Sequence, residues 1–428
     1  MQIHVVQPGQ TIWGIAAAYN TTPDEIIRTN EIPNPNSLVV GQAIVIPIIG
    51  SFYWVQRGDS LWSIARRFGI TPQQLSEVNR IPLNVPLQIG QRLYIPRRTR
   101  RNAEFNGYVE PRGTTLSPAL ETSARRASPH LTYLAPFSFQ VRRDGTLREP
   151  PLGNLPSISQ ANQVTLMMVI TNLENDQFSD ELGRIILNNE EIQNRLLDNI
   201  VATARRYGFR DIHFDFEYLR PADREAYNAF LRKARQRFTR EGWLLSTALA
   251  PKTSATQQGR WYEAHDYRAH GQIVDFVVIM TYEWGYSGGP PLPVSPIGPV
   301  RRVLEYAITE MPASKIMMGQ NLYGYDWTLP YVPGGQFARA ISPQQAIQIA
   351  AQYNVPIQYD TNAQAPHFNY RDENGREHKV WFEDARSIQA KFNLVKELGL
   401  RGVSYWKLGL SFPQNWLLIT DNFNVVKR

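Results

Sequence analysis

Residues 210–218 read Arg-Asp-Ile-His-Phe-Asp-Phe-Glu-Tyr. In an extended chain successive side chains alternate between faces. Asp211, His213, Asp215 and Glu217 therefore share one face, and Ile212, Phe214 and Phe216 take the other. Burying a row of acids is costly unless the row has a task. Two carboxylates one pleat apart repel, which raises the pKa of one and lets it keep a proton near neutrality. A protonated Glu217 at a strand tip, backed by Asp215 one step deeper, is what a general acid for a glycosidic bond requires. Two other readings stay open. One is a structural polar network; the other is a cation site using His213, Asp215 and Glu217, for which one short strand does not complete a coordination shell.

Positioning such a row takes a sheet whose inner face is enclosed. From residue 103 onward, short β-type apolar runs alternate with helical stretches, the pattern of βα units and a parallel sheet. Strands are expected at 104–109, 131–137, 164–171, 211–217, 243–250, 276–282, 315–322 and 402–408. Helices are expected at 190–207, 222–240, 300–309 and 385–398. Eight repeats over ~325 residues fit an α/β fold, a (β/α)8 TIM barrel of ~250 residues carrying insertions. The largest insertion lies at about 330–382. A helix at 343–352 and β-like pieces at 355–359 and 377–381 make it a small α+β lobe beside the barrel mouth. Catalytic groups of such barrels sit at the C-terminal ends of strands, where Glu217 falls.

The N-terminal part is a duplication. Val6-Gln7-x-Gly9-x-Thr11-Ile12-Trp13-x-Ile15-Ala16 recurs as Val55-Gln56-x-Gly58-x-Ser60-Leu61-Trp62-x-Ile64-Ala65. The same offset, 49 residues from Gly9 to Gly58, pairs Pro23 with Pro72, Asn30 with Asn79, Gly41 with Gly90 and Pro47 with Pro96. In each copy a β-type run meets a glycine turn. Ile12, Ile15, Ala16 and Tyr19 then fall at helical spacing, as do Leu61, Ile64, Ala65 and Phe68. Thr22-Pro23-Asp24-Glu25 and Thr71-Pro72-Gln73-Gln74 read as capping boxes that open a second helix, with proline where no N–H is missed. A second glycine turn leads to a closing strand at 43–46 or 92–95. Each copy is thus a βααβ unit, spanning 2–48 and 51–97, small for a catalytic core and sized like a binding module. Trp13 and Trp62 are expected in the module cores, because aromatics of amphipathic helices mostly face inward. Arg97-Arg98-Thr99-Arg100-Arg101 reads as a solvated linker, with contact to an anionic glycan as the sharper alternative.

The V-x-x-G-[DQ]-[ST]-[LI]-W-x-I-A openings, the central asparagines and the G-Q-x-[LI]-x-I-P closes are similar to those of LysM modules, which bind N-acetylglucosamine-containing glycans. That resemblance implies sugar contact at Gly9, Gln10 and Thr11 and at Gly58, Asp59 and Ser60, with the segments after Asn30 and Asn79. Residues 103–428 resemble glycoside hydrolase family 18. Asp215 and Glu217 match the last two acids of its D-G-x-D-x-D-x-E signature, Met280-Thr281-Tyr282 its sixth-strand M-x-Y, Tyr405-Trp406 its eighth-strand floor aromatic, and 320–327 its seventh strand. Within the family the likeness is greatest to the spore cortex-lytic N-acetylglucosaminidases of bacilli, which join two LysM modules to this barrel. Their MTYEWG and GVSYW-type segments are matched here by Met280 to Gly285 and Gly402 to Trp406. Arg210, Asp211 and His213 depart from the signature, and Glu283 stands where an Asp usually follows the strand-six tyrosine. These departures bear on the acid-to-acid proton relay of typical chitinases and spare Asp215 and Glu217; His213 is expected to hydrogen-bond Asp215.

The family implies a substrate-assisted, retaining reaction. Glu217 protonates the leaving oxygen, the substrate's 2-acetamido oxygen attacks the anomeric carbon, Asp215 orients that group, Tyr282 hydrogen-bonds it and Trp406 forms the floor. Trp284, Tyr325 and Trp327 are candidate sugar-stacking aromatics. His213, Asn172, Gln320 and Glu110 are further candidates for substrate contact.

Composition narrows the rest. The chain has 428 residues, 43% apolar, with no cysteine and a formal charge of +7. That fits a globular protein without thiol nucleophile, disulfide or thiolate metal site. No apolar run approaches the ~20 residues of a membrane span. The opening MQIHVVQPGQ lacks the basic and apolar regions of a secretory signal, so no cleaved signal peptide is expected. Together with the resemblance this points to the spore, at its cortex or coat. The expected partner is peptidoglycan or another N-acetylglucosamine-containing glycan, an anionic polymer suited to a basic chain. No nucleic acid, cofactor or metal is expected, and the oligomeric state is left open. The reading is an N-acetylglucosaminidase that cleaves β-1,4 bonds in spore cortex or cortex fragments during germination. The alternatives are a chitinase-type hydrolase and a glycan-binding barrel made inactive through Arg210 and His213.

Overall fold

Eight parallel strands close on themselves in the computed structural model, which describes residues 1–97 and 100–428. They are Arg101–Val109, Tyr133–Pro136, Thr165–Thr171, Asp211–Asp215, Leu244–Leu249, Phe276–Ile279, Ile316–Asn321 and Gly402–Trp406. Each pairs with its successor, and the eighth with the first. Alternation sends Tyr108, Tyr133, Met167, Val169, Phe276, Val278 and Met317 inward, where they pack as one cluster. The outer face meets the helices: Phe214 lies against Phe230 and Phe238 of Arg224–Glu241. The helix Glu190–Tyr207 starts where the Asn189 side chain accepts from Ile192 N–H, carries Glu190 and Glu191 in its first turn, and stops at Gly208. Two strands end before their apolar runs do, the fourth at Asp215 and the sixth at Ile279. Glu217 and Tyr282 consequently stand on the loops just past the tips.

The insert is a five-stranded antiparallel sheet backed by the helix Pro343–Gln352. Its strand order is Arg339–Ile341, Gly324–Thr328, Glu377–Trp381, Ala365–Arg371, Gln358–Asp360. Residues 324–327, which the family resemblance placed with the seventh barrel strand, belong to this sheet within Gly324–Thr328. Gly324 permits the switch: a Cβ there would stand 2.3 Å from the Trp381 carbonyl oxygen.

Both N-terminal units have the βααβ order, Gln2–Val5, Ile12–Tyr19, Pro23–Asn30, Ala43–Ile46 and then Ser51–Trp54, Leu61–Phe68, Pro72–Asn79, Arg92–Ile95. The paired asparagines act alike. Asn30 donates to the Ile26 and Val45 carbonyls and accepts from Val45 N–H; Asn79 does the same with Leu75 and Tyr94. Thr71 and Gln74 form the full capping box, whereas the Glu25 side chain accepts from Thr21 and leaves Thr22 a one-way cap. Trp13 and Trp62, expected in the cores, are 54% and 64% exposed. The buried stripe is already filled by Ile12, Ile15, Ala16 and Tyr19 or by Leu61, Ile64 and Ala65. A residue one position on from the stripe is rotated by roughly 100° about a helix of 3.6 residues per turn, which carries both indoles outward.

The two copies differ in their surroundings. Val40 O accepts from Ile357 N–H at 2.9 Å, Gly41 O from Arg386 Nη2 at 3.0 Å and Asn30 O from Gln344 Nε2 at 2.7 Å. Ala43 and Val45 join the barrel's outer core and Val39 the insert's core. The first module is therefore wedged between barrel and insert. The second rests on the first, through Gln2 with Phe52, Arg92 with Ala18, and Tyr19 against Trp54. Gly41 and Gly90 share a left-handed φ of +84° and +83°. A Cβ at Gly41 would stand 1.8 Å from Ile357 O, while one at Gly90 would meet nothing within 4 Å. Of the basic run, Arg97 and Arg100 donate to the Thr420 carbonyl and Arg101 to those of Val395 and Leu400, so these guanidiniums tie the junction to the barrel. Arg98 and Thr99 lie outside the described residues. Among the described residues no helix is long and apolar enough to cross a membrane.

Candidate active site

Asn172, just beyond the third strand, fixes the backbone of Glu217. Its Oδ1 accepts from Glu217 N–H at 3.0 Å and its Nδ2 donates to Glu217 O at 2.9 Å. Tyr218 and Glu283, the residues after Glu217 and Tyr282, take φ of +54° and +66°. Each such residue costs of order 1–3 kcal/mol, and here each turns the chain away immediately past a side chain that faces the cleft. Gly319 makes room for Tyr282, since a Cβ there would stand 2.9 Å from the Tyr282 ring.

Asp215, Glu217, Tyr282, Glu283, Tyr325 and Trp406 line one cleft of about 920 Å³ at the barrel's C-terminal mouth. Glu110 and Lys407 line it as an ion pair. Trp261, on the loop after the fifth strand, donates its indole N–H to Glu217 Oε2 at 2.5 Å and stacks on Tyr218 with ring centroids 6.1 Å apart.

Burial sets the electrostatics. It pushes Asp211 and Asp215 up to about 7. Glu217 is raised well above the usual carboxylate range, by burial first and the Asp215 charge second, with the indole hydrogen bond opposing. The shift favours the protonated, acid form of Glu217. Burial pushes His213 down to about 3, so its ring is neutral. Ser246 Oγ donates to Asp211 Oδ1 at 2.7 Å, lies 2.8 Å from His213 Nδ1, and Tyr108 Oη lies 2.9 Å from His213 Nε2. With Ser246 donating to Asp211, the imidazole proton sits on Nδ1 and Nε2 accepts from Tyr108. His213 thus faces neither Asp215 nor substrate, contrary to the sequence reading. It lies one pleat deeper, and both ring nitrogens are committed to hydroxyls, which leaves none for a cation. Asp215 Oδ1, by contrast, is buried without a hydrogen-bond partner among the described residues.

Four other candidates point into the protein. Gln320 is buried, with Nε2 donating to Asn321 O at 2.9 Å. Trp284 packs on the barrel's outer core. Trp327 is 2% exposed and gives its indole N–H to Gly289 O. Asn172 is fully buried and holds Glu217 rather than sugar. Each stands at a strand tip in sequence, but neighbouring backbone engages its N–H donor or apolar core its ring. In the modules, Gly9 and Gly58 make left-handed turns. Thr11 and Ser60 cap helices by accepting from Gly14 and Ser63 N–H, and Gln10 and Asp59 close turns by accepting from Gln7 and Gln56 N–H. Both loops lie at the surface, and Trp13 and Trp62 follow them after one intervening residue, Ile12 or Leu61. Sequence reasoning missed Tyr108, Ser246, Trp261 and Lys407. Alternation along the first strand was a usable signal for Tyr108; a loop residue such as Trp261 has none.

Family comparison settles the class of chemistry. The profile of glycosyl hydrolases family 18 matches residues 107–410. The chain belongs to glycosyl hydrolase family 18. It is a glycoside hydrolase, and the LysM domain profile matches residues 4–47 and 53–96 ahead of the family 18 barrel. A cortical fragment-lytic enzyme of Bacillus subtilis is 73% identical over 428 residues, covering 100% of this chain and 99% of that one. A cortical fragment-lytic enzyme of Bacillus anthracis is 56% identical over 429 residues, covering 100% of both. The crystal structure of the Bacillus megaterium spore cortex-lytic enzyme SleL superposes with a TM-score of 0.92 at 57% identity, covering 100% of this chain and 99% of that one.

Proposed function

We propose that this family 18 enzyme is an N-acetylglucosaminidase acting on spore cortex or its fragments, cleaving the β-1,4 bond after N-acetylglucosamine with retention of configuration. Full-length similarity to enzymes named for lysis of cortical fragments supports the substrate. The mechanism rests on one observation: Glu217 and Asp215 line the same cleft, Glu217 with its carboxyl raised by burial and by the Asp215 charge, and Asp215 with an Oδ1 that has no hydrogen-bond partner among the described residues.

Glu217 gives its proton to the glycosidic oxygen, and the C1–O bond breaks with its electron pair on that oxygen. The substrate's acetamido oxygen bonds to C1, so no enzymic nucleophile is needed. The Asp215 carboxylate accepts the acetamido N–H, and its charge offsets that of the oxazolinium formed. Tyr282, kept protonated by burial, hydrogen-bonds the same group, and Trp406 lies under the ring. Water, deprotonated by the Glu217 carboxylate, then opens the oxazolinium from the face the leaving group vacated. The surface loops at Gly9, Gln10 and Thr11 and at Gly58, Asp59 and Ser60 hold the polymer, and tethering lets weak sites add up.

Glu217→Gln keeps the shape and removes the proton donor, so turnover of defined cortex muropeptides should fall by roughly 10²–10⁴-fold with binding retained. Comparable activity in that variant would take Glu217 out of the acid role. Mass spectrometry should find N-acetylglucosamine at the new reducing ends; muramic acid there overturns the bond assignment.

A further inference from the structure

We propose that Trp261 is a positioning residue that fixes the Glu217 proton on Oε1 and stabilises the carboxylate once that proton has left. The proposal rests on the reading of Glu217 as the general acid.

Indole is a donor only. Its N–H lies 2.5 Å from Glu217 Oε2. In a protonated carboxyl the carbonyl oxygen accepts better than the hydroxyl oxygen, so the indole selects Oε2 as carbonyl and Oε1 as hydroxyl. When Oε1–H passes its proton to the glycosidic oxygen, the pair left on the carboxyl makes the indole bond charge-assisted, and such bonds are about twice as strong as neutral ones. An interaction that strengthens as the proton leaves lowers the barrier rather than merely tightening substrate binding.

The indole is held for this task from an element other than the acid's own. Trp261 belongs to the loop between the fifth strand and the helix Tyr267–Ile273. That loop is tied down by Lys252 Nζ to His265 O at 3.0 Å, Gly259 N–H to Glu263 at 2.9 Å and Arg260 to Asp180 at 3.0 Å. Its ring lies on Tyr218 with an interplanar angle of 12°. The other groups facing Glu217 are Asp215 at the end of the fourth strand, Tyr108 on the first, Tyr282 after the sixth, and Tyr218; Glu283 lies beyond Tyr282. Asp215 raises the acid, and the indole hydrogen bond opposes that rise.

Trp261→Phe keeps a ring on Tyr218 and deletes the donor. On soluble cortex fragments kcat should fall by about 10- to 100-fold with KM little changed, the worth of a hydrogen bond to a charged group. The alkaline limb of the kcat profile should move to higher pH. Trp261→His, which restores a ring N–H, should bring the limb back towards that of the unsubstituted enzyme. Near-UV circular dichroism reports the fold of each variant; if the Phe variant is not native, the limb of the His variant decides. An unmoved limb in the Phe variant, or a displaced one in the His variant, overturns the proposal. If Glu217→Gln is dead and the limb is unmoved, only the role of Trp261 fails; if Glu217→Gln is active, the reading beneath it fails first.

Discussion

A methyl group added at Gly41 should loosen the seam between the first module and the insert, and the same methyl at Gly90 should not. The two glycines are repeat equivalents with φ of +84° and +83°. Alanine in the left-handed region costs about 1–2 kcal/mol at either position. At Gly41 the Cβ would also stand 1.8 Å from Ile357 O, a backbone atom that no rotamer change can move. Relief requires the module to draw back from the insert. That breaks the Ile357 N–H to Val40 O bond and the Arg386 bond to Gly41 O. A neutral bond contributes about 1 kcal/mol and one to a charged group about 1.5–3 kcal/mol. The seam should therefore lose about 2.5–4 kcal/mol beyond the shared strain, roughly 10²–10³-fold in its opening equilibrium. Native-state hydrogen exchange reads this locally, on a peptide spanning residues 353–360 that contains the Ile357 amide. Protection there should fall by about that factor in Gly41→Ala and stay within a few-fold in Gly90→Ala. Equal effects of the two substitutions, or an insert peptide still protected in Gly41→Ala, would refute the docked-module geometry.

Two further outcomes follow from the site and the modules. Asp215→Asn removes the charge that helps raise Glu217, so the alkaline limb of the pH–rate profile should move to lower pH while kcat drops by about 10²-fold or more; a limb that moves up contradicts the coupling. Trp62→Ala should weaken retention on insoluble cortex and leave kcat/KM on soluble fragments unchanged, and full retention would take the exposed indole out of polymer binding.

The eight strands were legible because each is a short apolar run bounded by turn residues, and the acid row because alternation is a local rule. The strand ends were not. The fourth strand stops at Asp215 and leaves Glu217 on a loop, held by an asparagine just beyond the neighbouring strand. Trp284, Gln320 and Trp327 illustrate a second limit: position at a tip does not say which way a side chain turns when backbone carbonyls or a core compete for it. Trp13 and Trp62 were readable in principle, since the residues of the buried stripe leave no place for them. The fate of the two modules was not, because an offset without gaps describes equal copies. What separates Gly41 from Gly90 is Ile357, over 300 residues away in the chain.

The acid row also bears on how the fold responds to pH. Asp211, Asp215 and Glu217 are raised by burial. Three buried imidazoles near them are pushed the other way, His213 to about 3, His265 to about 4 and His270 to about 3. Between roughly pH 4.5 and 6 the unfolded chain ionises all six groups at their ordinary values. The raised acids alone would make stability fall as pH rises through that window. The lowered imidazoles alone would make it rise, each group by about 1.4 kcal/mol per pH unit. Folding takes up protons on these carboxyls and gives up protons from these imidazoles, so the two slopes oppose each other. The imidazoles thus offset part of the pH dependence that enclosing the acids imposes on the barrel.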